Sequence, residues 1–254
     1  MKKCMQNVLV EIPAVGMTRL VTAFRMASWA AVLMMASVSW ADISNGSFES
    51  GFTDWTLTAN NSGKFAGNEV VTGVGTVVPQ QGANMAKITL GKVGSDLIDF
   101  NLLHSSSATV SSGNHVQCKV KILYNNLRQF TSGGVLEVIL KAPMAGQPLI
   151  AALEIELING TKSRVTNILT GTTSEVAIID SGPSGFAHET AWLTIDVDVS
   201  SLAGTTSPIS FFMTGGNIVA DNETMVYLID DVKLATPVTT SEESLDYWEF
   251  WPTE

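Results

Sequence analysis

From Asp42 to about Ala235, apolar and polar residues alternate in short runs, and Gly, Ser, Asn and Pro break each run before it reaches helical length. A period of two puts successive side chains on opposite faces of an extended strand. The spacing predicts strands over 84–90, 115–124, 134–142, 149–158 and 163–169, then over 175–180, 191–199, 208–214 and 225–234. Ser132-Gly133-Gly134 and Asn159-Gly160 stand between runs as turns, and the Asn-Gly pair is a strong hairpin signal. No segment after residue 41 carries a helical apolar stripe, and no internal repeat is visible. Many short strands joined by Gly-rich turns predict an all-β sandwich or barrel.

The two ends differ from this pattern. Residues 26–41 hold a short apolar run, preceded by Arg19 and Arg25 and closed by Ser39-Trp40-Ala41. Basic flank, short apolar core and small-x-small site together make a secretory signal, with cleavage expected after Ala41. The run falls short of the ~20 apolar residues that span a bilayer. The expected divisions are therefore a signal peptide over 1–41, one domain over 42–235 and a tail over 236–254, with Met17 or Met26 as alternative starts. The expected location is secreted, periplasmic or extracellular. The tail carries five acids and no base, with Tyr247, Trp248, Phe250 and Trp251 clustered near its end. Four aromatics are costly to leave in water, so the tail is expected to dock on this domain or on a partner.

Charge and thiols narrow the classes further. The full chain has a net charge of −10, and residues 42–254 hold 10 basic against 23 acidic side chains. Binding to nucleic acid or to anionic lipid needs basic clusters, and this balance opposes both. Cys118 is the one thiol after residue 41, so no internal disulfide forms there. In HVQCKVKILY it alternates in phase with Val116, Val120 and Ile122, which makes it a buried apolar group.

No catalytic constellation assembles from sequence. His104, His115 and His188 lie apart without metal-ligand spacing, and Ser181-Gly182-Pro183-Ser184-Gly185 is a turn. No Gly-rich loop leads into a helix with a lysine. Paired carboxylates for glycosidic chemistry stay open, since any two acids can meet in a fold. The expectation is a non-enzymatic protein.

One carboxylate stands out. In MVYLIDDVKL, alternation puts Val226, Leu228, Asp230, Val232 and Leu234 on one face, and Tyr227, Ile229, Asp231 and Lys233 on the other. The first face is the more apolar, so Asp230 is expected at the core or its rim and Asp231 outside, near Lys233. A carboxylate facing a core is costly unless it is paired, hydrogen-bonded or bound to metal. Calcium with carbonyl oxygens would satisfy it, and so would a turn at the strand end.

Three short stretches point to a family. Asn45-Gly46-Ser47-Phe48-Glu49-Ser50-Gly51 with Asp54-Trp55, then Gln81-Gly82-Ala83-Asn84-Met85-Ala86, and finally Val226-Tyr227-Leu228-Ile229-Asp230-Asp231-Val232 resemble the galactose-binding-like jelly rolls of secreted carbohydrate-binding modules. The resemblance spans 43–235 and implies an antiparallel β-sandwich with a structural calcium bridging the first and last strands. It implies ligands at Glu49, Asp230 and the main-chain oxygens near Ser47 and Gly82, with Trp55 in the core. Tyr124, Phe130, Phe186 and Trp192 remain as residues that could stack on a sugar, and Trp192 is itself expected in the core. The resulting expectation is a non-catalytic secreted module that binds polysaccharide. The alternatives are an extracellular matrix or surface interaction protein built on the same sandwich, and a jelly-roll hydrolase or lyase with an unrecognised site.

Overall fold

A computed structural model describes residues 43–59, 67–93, 96–98, 100–125, 135–140, 149–156, 162–215 and 223–237. The signal segment, nearly all of the tail and Phe130 lie outside the described residues. Among the described residues fourteen strands follow in chain order. They are β1 Trp55–Ala59, β2 Glu69–Val71, β3 Met85–Val93, β4 Asp96–Ile98, β5 Phe100–Thr109, β6 His115–Asn125 and β7 Val135–Ile139, then β8 Leu149–Glu156, β9 Lys162–Asn167, β10 Thr172–Asp180, β11 His188–Thr190, β12 Leu193–Asp198, β13 Thr206–Thr214 and β14 Thr224–Ala235. The helical content among the described residues is a 3-10 turn at Ser200–Leu202. No described helix is long and apolar enough to cross a membrane.

Every strand pair is antiparallel, and the strands form two sheets. The front sheet runs β1-β5-β13-β7-β8-β9-β10, and the back sheet runs β10-β11-β6-β14-β3-β2, with β12 also on β6 and β4 also on β3. Strand β10 belongs to both: residues 172–177 pair with β9 and residues 178–180 with β11. A strand that changes sheets makes the corner of the sandwich. The β8–β9 pairing closes the hairpin predicted at Asn159-Gly160, although the turn itself lies outside the described residues.

The core lies between the sheets. Ile88 and Leu90 of β3, Val116, Cys118, Val120 and Ile122 of β6, and Tyr227 and Ile229 of β14 meet Leu103, Leu153 and Phe211 of the front sheet. Each is at most 2% exposed. Fully burying side chains of this size contributes about 1.5–3 kcal/mol apiece. Cys118 and Trp55 sit in this core as the alternation and the resemblance led us to expect.

The back sheet departs from the expected faces. Met225, Tyr227 and Ile229 point into the main core, whereas Val226 and Leu228 belong to a second apolar cluster with Val77, Met85 and Leu123. A β-bulge between Asp230 and Lys233 then adds one residue, with Asp231 at φ 53°, and returns Val232 and Leu234 to the main core. The five residues predicted on one face are therefore split, because the bulge reverses the alternation. Asp230 is fully buried as expected, but on the outer side of the sheet. Phe186 and Trp192 pack half-buried on the second cluster, and Tyr124 is in the main core, stacked on His188 at 4.9 Å. Tyr124, 2% exposed, offers no sugar platform.

Loops cover this outer face. Thr76 N donates to Pro183 O at 2.9 Å, which joins the 71–77 segment to the 181–187 turn. Beneath them Lys121 and Glu189 form a buried ion pair at 2.7 Å. Lys121 also donates to Thr190 O, and Ser184 N donates to Glu189 Oε2 at 2.9 Å. Burial raises the Glu189 pKa, but Lys121 and the Ser184 donors outweigh it and hold the carboxyl below its ordinary value.

Candidate functional sites

The opening loop is a run of tight turns. Backbone N–H groups of Gly46, Phe48, Gly51, Thr53 and Trp55 each donate to the carbonyl three residues earlier. Asn45 is its hub: Nδ2 donates to Gly51 O and Thr53 O, both at 2.9 Å, and Oδ1 accepts from Ser50 N at 3.0 Å. Its carbonyl accepts the Trp55 indole at 2.9 Å. The coil drives Phe48 into the core against Trp55, with ring centroids 4.9 Å apart, and leaves Glu49 facing outward. The loop joins the last strand through Val232 N, which donates to Gly46 O at 3.0 Å. A Cβ on Gly46 would lie 2.0 Å from Val232 O, so only glycine permits the approach.

Glu49 and Asp230 hold one loop from two sides. Asp230 Oδ2 accepts from Gln80 N at 2.6 Å and Gln81 N at 2.9 Å, and its Oδ1 accepts from Asp231 N at 2.7 Å. Glu49 Oε1 accepts from Ala83 N at 2.8 Å and Asn84 N at 2.9 Å, and Oε2 from Asn84 Nδ2 at 3.2 Å. Gly82 stands between the two sets at φ 65°, with the position of its missing Cβ 2.3 Å from Glu49 Oε1. Three of the four predicted ligand positions, Glu49, Gly82 and Asp230, thus meet on residues 80–84. Ser47 stays half-buried in the opening loop, one residue before the Phe48 anchor. Asp231 pairs with Lys233 at 2.5 Å, in agreement with its predicted neighbour.

Each carboxylate is already hydrogen-bonded by three N–H donors, and a hard cation would share it with them. Burial pushes the Asp230 pKa up, and the neighbouring Asp231 charge adds to this, against three backbone donors that pull it down. Among the described residues no basic group pairs with Asp230. In each carboxylate one oxygen takes two N–H donors, while the other takes a single donor and keeps a lone pair. Oxygen donors of this kind are those calcium takes. Among the described residues no group of three or more His, Cys, Asp and Glu side chains gathers, so a cation here would draw its remaining donors from main chain and water.

A second feature lies on the outer face of the front sheet and was missed in the sequence. Register places Phe212 beside Leu102, Ser210 beside His104 and Thr214 beside Phe100, with Thr56 and Thr58 on the adjoining strand. Because Leu103, Phe211 and Met213 point into the core, the alternate residues face outward. Phe100 is 36% exposed, its ring centroid 6.0 Å from that of half-buried Phe212. Half-buried His104 beside them has its pKa lowered by burial, which keeps the imidazole neutral at pH 7. The available signal was Phe100, Leu102 and His104 in phase on one face of β5.

No known family model matches the chain, and no curated protein does. Solved structures similar to it include a cleaved adhesin domain of Lys-gingipain from Porphyromonas gingivalis, with TM-score 0.43, 12% identity and coverage of 77% of this chain and 99% of that one. A non-crystalline cellulose specific carbohydrate-binding module, CBM28, matches with TM-score 0.41, 13% identity and coverage of 77% and 95%. A Bacteroides ovatus mixed linkage glucan GH16 matches with TM-score 0.38, 11% identity and coverage of 71% and 94%.

Proposed function

We propose that the chain is a secreted, non-catalytic β-sandwich module that binds a neutral polysaccharide on the outer face of its front sheet and carries one structural calcium ion. The Phe100–Phe212 pair is the observation that supports it. Two partly exposed rings on a strand face offer apolar surface to the C–H faces of sugar rings. Thr56, Thr58 and His104 beside them offer uncharged hydrogen-bonding groups. Ten basic against 23 acidic side chains after residue 41 suit a neutral glycan and repel a polyanionic one.

Calcium would be held by Glu49 and Asp230, with main-chain oxygens at Ser47 and Gly82 completing the set. When bound it would supply positive charge to two carboxylates. The chain's own residues do the rest: the carboxylates anchor residues 80–84, and Gly46 ties the opening loop to β14.

Retention on a panel of insoluble neutral polysaccharides tests the binding claim. The wild type should be retained by at least one, Phe212→Ala should be released, and no reducing ends should appear. Equal retention of the variant, or retention by none, would refute it. A second reading, an extracellular interaction protein, is favoured by the exposed aliphatic side chains Ile168, Leu169 and Ile179, at 40%, 37% and 41% exposure. Failure on every glycan together with association in pull-down would select that reading.

A further inference from the structure

The two sheets part at the β10 corner. The first half of β10 pairs with β9, while β12 pairs with β6, and no ladder joins β10 to β12 among the described residues. Between them opens a cavity of about 250 Å³.

The register shows what lines it. Leu153, Val165 and Ser174 form one cross-strand row on β8, β9 and β10, and Ala151, Asn167 and Thr172 form the next. Leu153 and Ala151 are in the main core, so both rows face the opposing sheet. A closed sandwich would carry aliphatic residues at these inward positions. Here the outer members are Asn167, Thr172 and Ser174, and the cavity sits over them. Ile195 and Val197 of β12 supply the facing apolar wall, and Thr194 and Asp196 meet the cavity only at the edge of the strand, their side chains turned to its other face. Thr194 Oγ1 accepts from Lys119 Nζ at 2.6 Å, and the Asp196 carboxylate is bonded by His115 Nδ1 at 2.6 Å and Gln117 Nε2 at 2.9 Å, all on the face of β12 turned away from the wedge.

The chemistry of this lining selects a ligand. None of the ten lining residues is basic, so the lining itself offers an anion no counter-charge. The hydroxyls of Thr172 and Ser174 and the amide of Asn167 match a ring bearing several hydroxyl groups, while the aliphatic wall of Ile195 and Val197 matches its C–H face. The volume falls below the ~300 Å³ at which pockets begin to hold drug-sized ligands, which limits the occupant to a single ring.

We propose that the wedge between β10 and β12 binds one neutral sugar ring. This goes beyond the reading above: the pocket opens between the sheets, shares no residue with the Phe100–Phe212 face, and stands or falls separately from it. The test is an NMR titration of isotope-labelled protein with methyl glycopyranosides of glucose, galactose, mannose and xylose. At least one should give saturable shifts in amides of 165–174 and 194–197. Ser174→Leu, which fills the mouth from an exposed position, and Thr172→Val, which removes a hydroxyl, should each weaken binding, the first by about tenfold or more. Phe212→Ala should leave it unchanged. Absence of saturation with every glycoside would overturn the proposal, as would wild-type affinity in both pocket variants. Loss of binding in Phe212→Ala alone would place the ring on the aromatic face and equally overturn it.

Discussion

Asp230→Ala is the perturbation that separates the hydrogen-bonding role of the carboxylate from its proposed metal role. The substitution removes the acceptor for three backbone N–H groups. Gln80 and Gln81 are both exposed, so their amides can turn to water. Asp231 N sits inside the bulge and cannot do so as readily. One orphaned buried donor costs about 1–3 kcal/mol. Relief of the cost of burying the carboxylate offsets part of this. In chelator the variant should therefore be destabilised by no more than ~3 kcal/mol. Calcium adds a separate quantity to the wild type alone: binding to the folded state stabilises it by about 2.7 kcal/mol at a hundredfold excess over Kd. At ~2–4 °C per kcal/mol for a domain of this size, that is a rise in Tm of roughly 5–11 °C. Thermal melts of wild type, Asp230→Ala and Asp231→Ala, each with calcium and with chelator, read both quantities. The expected result is a calcium response in wild type and Asp231→Ala and none in Asp230→Ala. A wild-type melt that calcium does not move would refute the metal. A response lost only in Asp231→Ala would show that the bulge presents the other carboxylate.

Other consequences follow from packing. Lys121→Met should destabilise the domain by about 3–5 kcal/mol in urea titration, because it leaves Glu189 buried without its cation. Lys121→Met with Glu189→Gln should recover much of that loss. The lowered Glu189 pKa gives stability that is complete above the ordinary carboxylate range and is lost as pH falls through the lower folded value, so acid melts of the double variant should be flatter. Cys118 should resist thiol reagents until the protein unfolds, since burial, reinforced by the nearby Asp231 charge, pushes its pKa up; rapid native-state labelling would contradict the register. Gly46→Ala should lower the Tm sharply, because its methyl group would meet the Val232 carbonyl and part the opening loop from β14.

Sequence periodicity alone determined the all-β class, most of the strands, the burial of Cys118 and the singling out of Asp230. These depend on local alternation, which a single strand displays by itself. Strand β5 was not legible, because Ser105-Ser106-Ser107 has the composition of a loop. The fold uses it as a strand because β13 is irregular between Pro208 and Ser210, and Ser105 Oγ accepts the Ile209 N–H at 3.0 Å there. The faces of β14 were likewise decided only in three dimensions. Met225 to Leu234 is apolar on both sides, so alternation sorts the residues into two sets without saying which set meets the other sheet. A bulge with Asp231 at φ 53° then exchanges the sets halfway along. The 71–77 and 181–187 loops close over the Lys121–Glu189 pair, and residues 80–81 close over Asp230. The Phe100–Phe212 platform and the wedge at β10 also needed tertiary structure. Each is assembled from strands distant in sequence, and their adjacency is set by sheet register, which no single segment encodes.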